Sequence, residues 1–249
     1  MPDDTQIKRT FRVRFAQIDG ARVIYYPRYL EMIADVFPEA AMDNYPFDLA
    51  IRFERPNRLG DDIKMSLRQR ANGWSVSDQS SSEHFSVTLT ESVDGSAFEW
   101  DQEEFASFTT DELTIRDWMC GPPSGTLHLS RYYELISHTV EQWFESCLGI
   151  TFSELHVAQD LGIPTVQMDT RCLRLPPCGA RVRMGLRPLS VGASAVQLIS
   201  RLTSAGNTWL ETRQIIVFVE LNDKKIKSTR IPEALRKRML SQLATVQAE

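Results

Sequence analysis

Asp19, Tyr26 and Pro27 are the residues of this chain whose types and spacing point to chemistry. Asp19 follows Phe11-Arg-Val-Arg-Phe15, in which Phe11, Val13 and Phe15 share one face and the arginines the other, the period of a β-strand. Tyr26-Pro27 then opens a stretch whose apolar positions, Tyr29/Leu30, Ile33, Val36/Phe37 and Ala40/Ala41, step by three and four as in a helix. Pro27 suits a first helical turn, where a missing N–H costs nothing. A helix start presents unpaired N–H groups and the positive end of the helix dipole, both suited to a developing oxyanion. The Tyr26 amide is the natural donor. A carboxylate where the chain turns back toward it can hold a water as general base or attack a carbonyl directly. The plainer reading of Asp19 is a turn carboxylate, because Asp-Gly is a turn dipeptide. The Tyr26 and Tyr29 side chains read first as helix packing.

Composition bounds what such a site can serve. The 249 residues carry 28 Lys and Arg against 33 Asp and Glu, a formal charge of −5, which argues against duplex nucleic acid as a partner. With 42% hydrophobic and 24% charged residues, the chain is neither disordered nor collagen-like. No run approaches the roughly 18–20 apolar residues of a membrane helix. Residues 1–10 are polar, unlike a secretory signal. Cys120, Cys147, Cys172 and Cys178 are too few for a disulfide scaffold, and His84, His128, His138 and His156 lack zinc-site spacing. The expectation is a cytoplasmic protein without metal or cofactor.

The chain reads twice. In the first half, alternating strands follow the helix: Leu49, Ile51, Phe53; Ile63, Met65, Leu67; Phe85, Val87, Leu89. Val93-Asp-Gly95 signals a hairpin leading to Phe98-Glu-Trp100. The second half offers a short strand from Leu113, a helix capped by Ser130 and closing near Gly149, then strands at 166–175, 181–187, 195–202 and 208–221. Ile63-Lys-Met-Ser-Leu-Arg68 matches Val182-Arg-Met-Gly-Leu-Arg187, with Gly60 over Gly179, and Gly95 and Phe98 fall over Gly206 and Trp209. Each half has its own insertion: residues 151–162, read as a short helix, and the Ser-rich 71–83, read as a loop. The expected units are residues 1–110 and 111–249. A single such unit leaves a sheet edge and a helix flank exposed, and an intrachain partner covers both.

Arg14-Phe-Ala-Gln-Ile-Asp-Gly-Ala-Arg-Val-Ile-Tyr-Tyr-Pro-Arg-Tyr29 resembles the hot-dog acyl-CoA thioesterases of the 4-hydroxybenzoyl-CoA thioesterase family. The resemblance implies an α+β double hot-dog, two antiparallel sheets each wrapped round a long central helix and packed as an intrachain pseudo-dimer that can dimerise further. It implies hydrolysis of an acyl-CoA or acyl-carrier-protein thioester without a cofactor. Asp19 is the implied base or nucleophile and the Tyr26 amide the implied carbonyl donor, with Arg22, Pro27, Tyr29 and Thr165 against the substrate.

The departures are specific. Gln17 replaces the family's first acid, Arg22 its usual glycine, and Ala34 the acid that meets a 4-hydroxybenzoyl hydroxyl. Arg22 can pair with Asp19 or reach a substrate anion. The family's nucleotide-binding cluster is unmatched at 191–195, where Arg68 and Arg70 are the alternatives, so a carrier-protein thioester stays open. Near Pro122, where Asp19 aligns in the second half, there is no carboxylate; His128 is a helix-start cap or a catalytic remnant. Competing readings are a non-catalytic acyl-thioester binder and a hot-dog dehydratase or hydratase. Cys172 and Cys178 read as packing residues rather than a redox pair, and 231–243 as a terminal helix with Arg236 to Arg238 in solvent.

Overall fold

The computed structural model describes residues 7–19, 23–34, 36, 46–79, 84–91, 107–121, 125–222 and 225–247. The first half contains β1 (Ile7–Arg12), α1 (Pro27–Ala34), β2 (Phe47–Phe53), β3 (Asp62–Arg70), β4 (Gly73–Asp78) and β5 (Phe85–Glu91). Its strands pair antiparallel in the order β1-β3-β4-β5-β2. Strand alternation sends Leu49, Ile51, Ile63, Met65, Leu67, Val87 and Leu89 inward, each at most 2% exposed. Burying a side chain of this kind is worth about 1.5–3 kcal/mol. Tyr29, Leu30, Met32 and Ile33 of α1 pack into the same core.

β6 (Phe108–Thr109) lies at the end of the first expected unit but pairs into the sheet of the second half, which contains β7 (Leu113–Thr114), β8 (Cys120–Gly121), β9 (Thr126–Leu127), α2 (Leu129–Leu148), β10 (Leu161–Gly162) and β11 (Thr165–Cys172). That half continues with β12 (Arg181–Val191), β13 (Ala195–Ser204), β14 (Asn207–Val217), β15 (Val219–Asn222), β16 (Lys225–Ser228) and α3 (Glu233–Gln247). Tyr132, Tyr133, Ile136, Trp143, Phe144 and Leu148 form the buried stripe of α2. Gly149, at φ 63°, closes that helix in the left-handed conformation. The sheet order β11-β14-β13-β12-β6 mirrors that of the first half.

The expected pair of sheets is one sheet. β2 and β11 pair antiparallel from Gln167↔Arg52 to Cys172↔Phe47, so the halves share their backbone ladder as well as side-chain contacts. Across the join α1 meets α2, where Arg28 and Arg131 each pair with both Glu31 and Glu134 at 2.5–3.6 Å. No described helix is long and apolar enough to cross a membrane.

Local readings met mixed outcomes. Pro27 does open α1, and Gly60 (φ 89°) and Gly179 (φ 83°) take the same left-handed turn, as their alignment implied. The Ser-rich segment is not wholly a loop: β4 lies within it, because Val76 and Asp78 alternate inward between outward serines. β5 therefore stands opposite β14 in the mirrored order, a place that the match of Gly95 with Gly206 assigned to a later segment. The Val93-Asp-Gly95 hairpin signal and Phe98 lie outside the described residues, as do 35 and 37–41 of the first helical stretch. The α2 cap is His128, whose side chain accepts from the Ser130 amide at 3.3 Å, so the helix begins one residue before Ser130. Residues 151–162 hold a single π-type turn at Glu154–Ala158 and then β10. Lys237 and Arg238 are exposed as expected and Arg236 is half-buried, yet Arg236 and Arg238 donate to the carbonyls of Gly192 and Leu148 and so tie α3 to the body.

Candidate active site

The approach to α1 is held on both sides by backbone hydrogen bonds. Ile24 N–H donates to Asn57 O at 2.9 Å and Tyr25 N–H to Gln17 O at 3.0 Å. The Gln17 side chain accepts from Arg14 N–H at 2.8 Å, so the residue replacing the family's first acid closes the preceding turn. Asp19 N–H donates to Val23 O at 2.9 Å, and Val23 N–H returns to Asp19 Oδ1 at 3.3 Å. The turn reading of Asp19 is thus correct as far as it goes, but the residue is also exposed and lines a cavity. Tyr26 stands immediately before Pro27. Its amide makes no backbone hydrogen bond to a described residue, whereas Arg28 and Tyr29 N–H donate to Tyr25 and Tyr26 carbonyls.

The cavity holds about 640 Å³ between the two halves. Asp19, Tyr26, Tyr29 and Phe53 come from the first half; Ser137, Phe152, Thr165 and Val217 come from the second. Of the residues expected at the site, Asp19, Tyr26, Tyr29 and Thr165 line it. Pro27 does not, being buried in the helix turn, and Arg22 lies outside the described residues. Neither Arg68 nor Arg70 lines the cavity; Arg28 and Arg55 do. Ser137, Glu141 and His156 also line it, though nothing local in the sequence marks them. Periodicity shows that one face of a helix is inward without showing what it faces.

Its phenols stay protonated. Burial pushes the Tyr26 hydroxyl well above its usual range, and that hydroxyl donates to Tyr133 O at 3.1 Å. Burial likewise raises Tyr29, whose hydroxyl donates to Asn57 Oδ1 at 2.7 Å inside the protein. Tyr29 therefore offers the cavity its ring. Tyr29→Phe is expected to destabilise the fold by about 1–3 kcal/mol, because Asn57 loses a buried partner. Denaturant unfolding measures that loss, and an unchanged midpoint would mean that the hydroxyl serves something other than Asn57.

The second half repeats this scaffold without its acid. Cys120 pairs with Leu127 as Ile18 does with Ile24, and His128 N–H donates to Met119 O as Tyr25 does to Gln17 O. Gly121 is thus the counterpart of Asp19, one residue from the aligned Pro122. A Cβ at Gly121 would stand 2.9 Å from the His128 ring, which leaves no room for a carboxylate.

Cys178 faces this second scaffold and not Cys172, which is buried in β11. Its thiol donates to Asp117 Oδ1 at 2.6 Å, and that carboxylate pushes it up from 9.0 to about 11. At pH below both values the thiolate fraction, and with it alkylation, is suppressed by the shift. Asp117→Asn should accelerate iodoacetamide labelling of Cys178 at pH 8 by roughly tenfold. Peptide mass spectrometry follows the rate, and no acceleration would remove the carboxylate as the cause.

One continuous sheet, a helix in each half and a cleft between the halves define a double hot-dog protein with a largely apolar cleft beside a carboxylate. The family model of the acyl-ACP thioesterase C-terminal domain matches residues 1–102. A Lactobacillus plantarum protein assigned as an oleoyl thioesterase is 10% identical, with a TM-score of 0.63 over 87% of this chain and 97% of that one. The 12:0-ACP thioesterase from Umbellularia californica is also 10% identical, with a TM-score of 0.63 over 86% and 94%. A thioesterase-superfamily protein from Jannaschia sp. CCS1, 14% identical with a TM-score of 0.51, spans 57% of this chain and 96% of its own. No curated protein sequence matches the chain. At these identities the likeness is one of fold, and that fold is the hot-dog.

Proposed function

We propose that this chain hydrolyses an acyl thioester carried on coenzyme A or on the pantetheine arm of a carrier protein. The observation that carries the reading is that Asp19 and Tyr26, at a helix start, line one cavity closed by the other half. The thioester carbonyl oxygen takes the Tyr26 N–H, where the helix dipole favours the negative charge that develops. Asp19 either removes a proton from an attacking water or adds to the carbonyl carbon itself. In the first case the tetrahedral intermediate expels the thiolate directly. In the second the carbon–sulfur bond breaks to leave an anhydride on Asp19, which water then hydrolyses. Either way the products are a carboxylic acid and a free thiol.

Thr165 and the rings of Tyr26 and Tyr29 supply walls for the acyl group, Pro27 fixes the helix start, and Arg22 stands beside Asp19 in the sequence. The two units, residues 1–110 and 111–249, act as an intrachain pseudo-dimer with one working site, since Gly121 replaces the acid in the other. The dehydratase reading would draw on His156 and Glu141, which line the same cavity. His156 instead lies against the Phe152 ring, 5.9 Å between centroids. A panel of acyl thioesters on both carriers, followed by thiol release, tests the proposal. Release from at least one acyl class is expected. A panel that binds without releasing thiol would leave only the binding reading, and water addition to an enoyl thioester would favour the dehydratase.

A further inference from the structure

A second, smaller chamber of about 40 Å³ adjoins the main cavity, and Tyr26, Ser137, Phe152, Ile163 and Thr165 line both. Its remaining wall includes Gln214 of β14. The ladder places Gln214 between Met168 and Leu198, two core residues, so its side chain points inward among apolar neighbours. It is 1% exposed, and neither its Oε1 nor its Nε2 has a hydrogen-bond partner among the described residues.

At the adjacent inward position the polar side chains find one another. Thr212 bonds Tyr132 at 2.9 Å and Thr170 at 2.8 Å, and Thr170 bonds Tyr133 at 2.5 Å. Those four hydroxyls are satisfied, whereas Ser200 Oγ, across the ladder from Thr212, has no partner among the described residues. Two residues on, a carboxamide with a donor nitrogen and an acceptor oxygen is left open beside a chamber joined to the acyl cavity. A buried amide without partners is unfavourable, and leucine or methionine would fill the position without that penalty. An occupant that bonds both Oε1 and Nε2 would remove that penalty.

We infer that Gln214 is a specificity-determining residue of this site, selecting acyl thioesters that carry a hydroxyl group on the acyl chain. This rests on the thioesterase reading and deepens it. A hydroxyl donates to Oε1 and accepts from Nε2, completing both bonds, whereas a keto group uses Nε2 alone and a bare chain uses neither. A chamber of this size also admits a water, which would satisfy the amide without selecting any substrate.

Steady-state kcat/KM for hydroxyacyl, oxoacyl and unsubstituted thioesters of equal length separates these cases, in the wild type and in Gln214→Leu. The wild type is expected to prefer the hydroxyacyl substrate over the unsubstituted one by about tenfold or more. Gln214→Leu should bring that ratio to about one while the unsubstituted rate stays within about twofold. Equal wild-type rates for the two substrates would overturn the inference in favour of a resident water. A Gln214→Leu protein that loses all substrates equally would also overturn it, as would Gln214→Met should the leucine variant fail to fold. If no thioester is turned over, binding of the matching non-hydrolysable thioethers reads the same preference. The hydrolase reading and the selectivity thus fail separately.

Discussion

Asp19→Asn is expected to abolish nearly all thiol release while leaving the fold and substrate binding intact. The removed group is either the base or the nucleophile, and positioned groups of this kind contribute about 10²–10⁴-fold. Asparagine keeps a carbonyl oxygen where Oδ1 accepts from Val23 N–H at 3.3 Å, so the loop before α1 retains its closure. The melting temperature should therefore move little, and the loss should fall on kcat rather than on the dissociation constant of a thioether analogue. Single turnover in ¹⁸O-water separates the two roles: a nucleophilic Asp19 acquires label in its own carboxylate, and a general base does not. Unaltered turnover in the asparagine variant would end the assignment. The second half offers no substitute, since Gly121 occupies the corresponding position against the His128 ring.

The largest expected effect on stability lies on the other face of the sheet. Arg201 on β13 and Glu211 on β14 are cross-strand partners, bonded Nε to Oε2 at 2.5 Å, with side chains 5% and 4% exposed. Breaking a buried pair by removing one member leaves an uncompensated charge and typically costs about 3–5 kcal/mol. That is a large share of the roughly 5–15 kcal/mol by which folded domains are stable. Arg201→Met is expected to show such a loss in urea unfolding, and Arg201→Met with Glu211→Leu to recover most of it. A single variant as stable as the wild type would mean that other arginines already compensate Glu211.

The pH dependence of that variant has a definite sign. Burial raises Glu211 above its ordinary 4.5, while hydrogen bonding and charge from Arg201, then Arg213 and Arg171, pull it down. Without Arg201 the folded carboxyl holds its proton more tightly than the unfolded one. Folding then takes up a proton, so stability falls as pH rises above the ordinary carboxylate range. The deficit relative to wild type should be larger at pH 8 than at pH 5.5.

What could be read from residue order alone was local and periodic. Alternation in Phe47–Phe53 and Asp62–Arg70, the three-and-four stepping of Leu129–Leu148, the proline opening α1 and the paired turns at Gly60 and Gly179 each follow from neighbours within a few positions. The Asp19 to Tyr26 motif is likewise contained in one short stretch, which is why the candidate acid and amide were legible. β4 was missed because serines on its outward face mask an inward Val76.

The remaining features depend on residues far apart in the chain. The β2–β11 ladder joins positions more than 100 residues apart, and Arg28 meets Glu134 only because that ladder brings α1 against α2. Alternation says that Gln214 faces inward but not that Thr212, at the adjacent inward position, is satisfied while Gln214 is left open beside a chamber. A pattern of hydrophobicity records whether a face is buried, because burial is a transfer from water and needs no particular neighbour. Hydrogen bonds and cavities are set by which atoms stand within a few ångströms of each other, and here only the packing of one half on the other decided that.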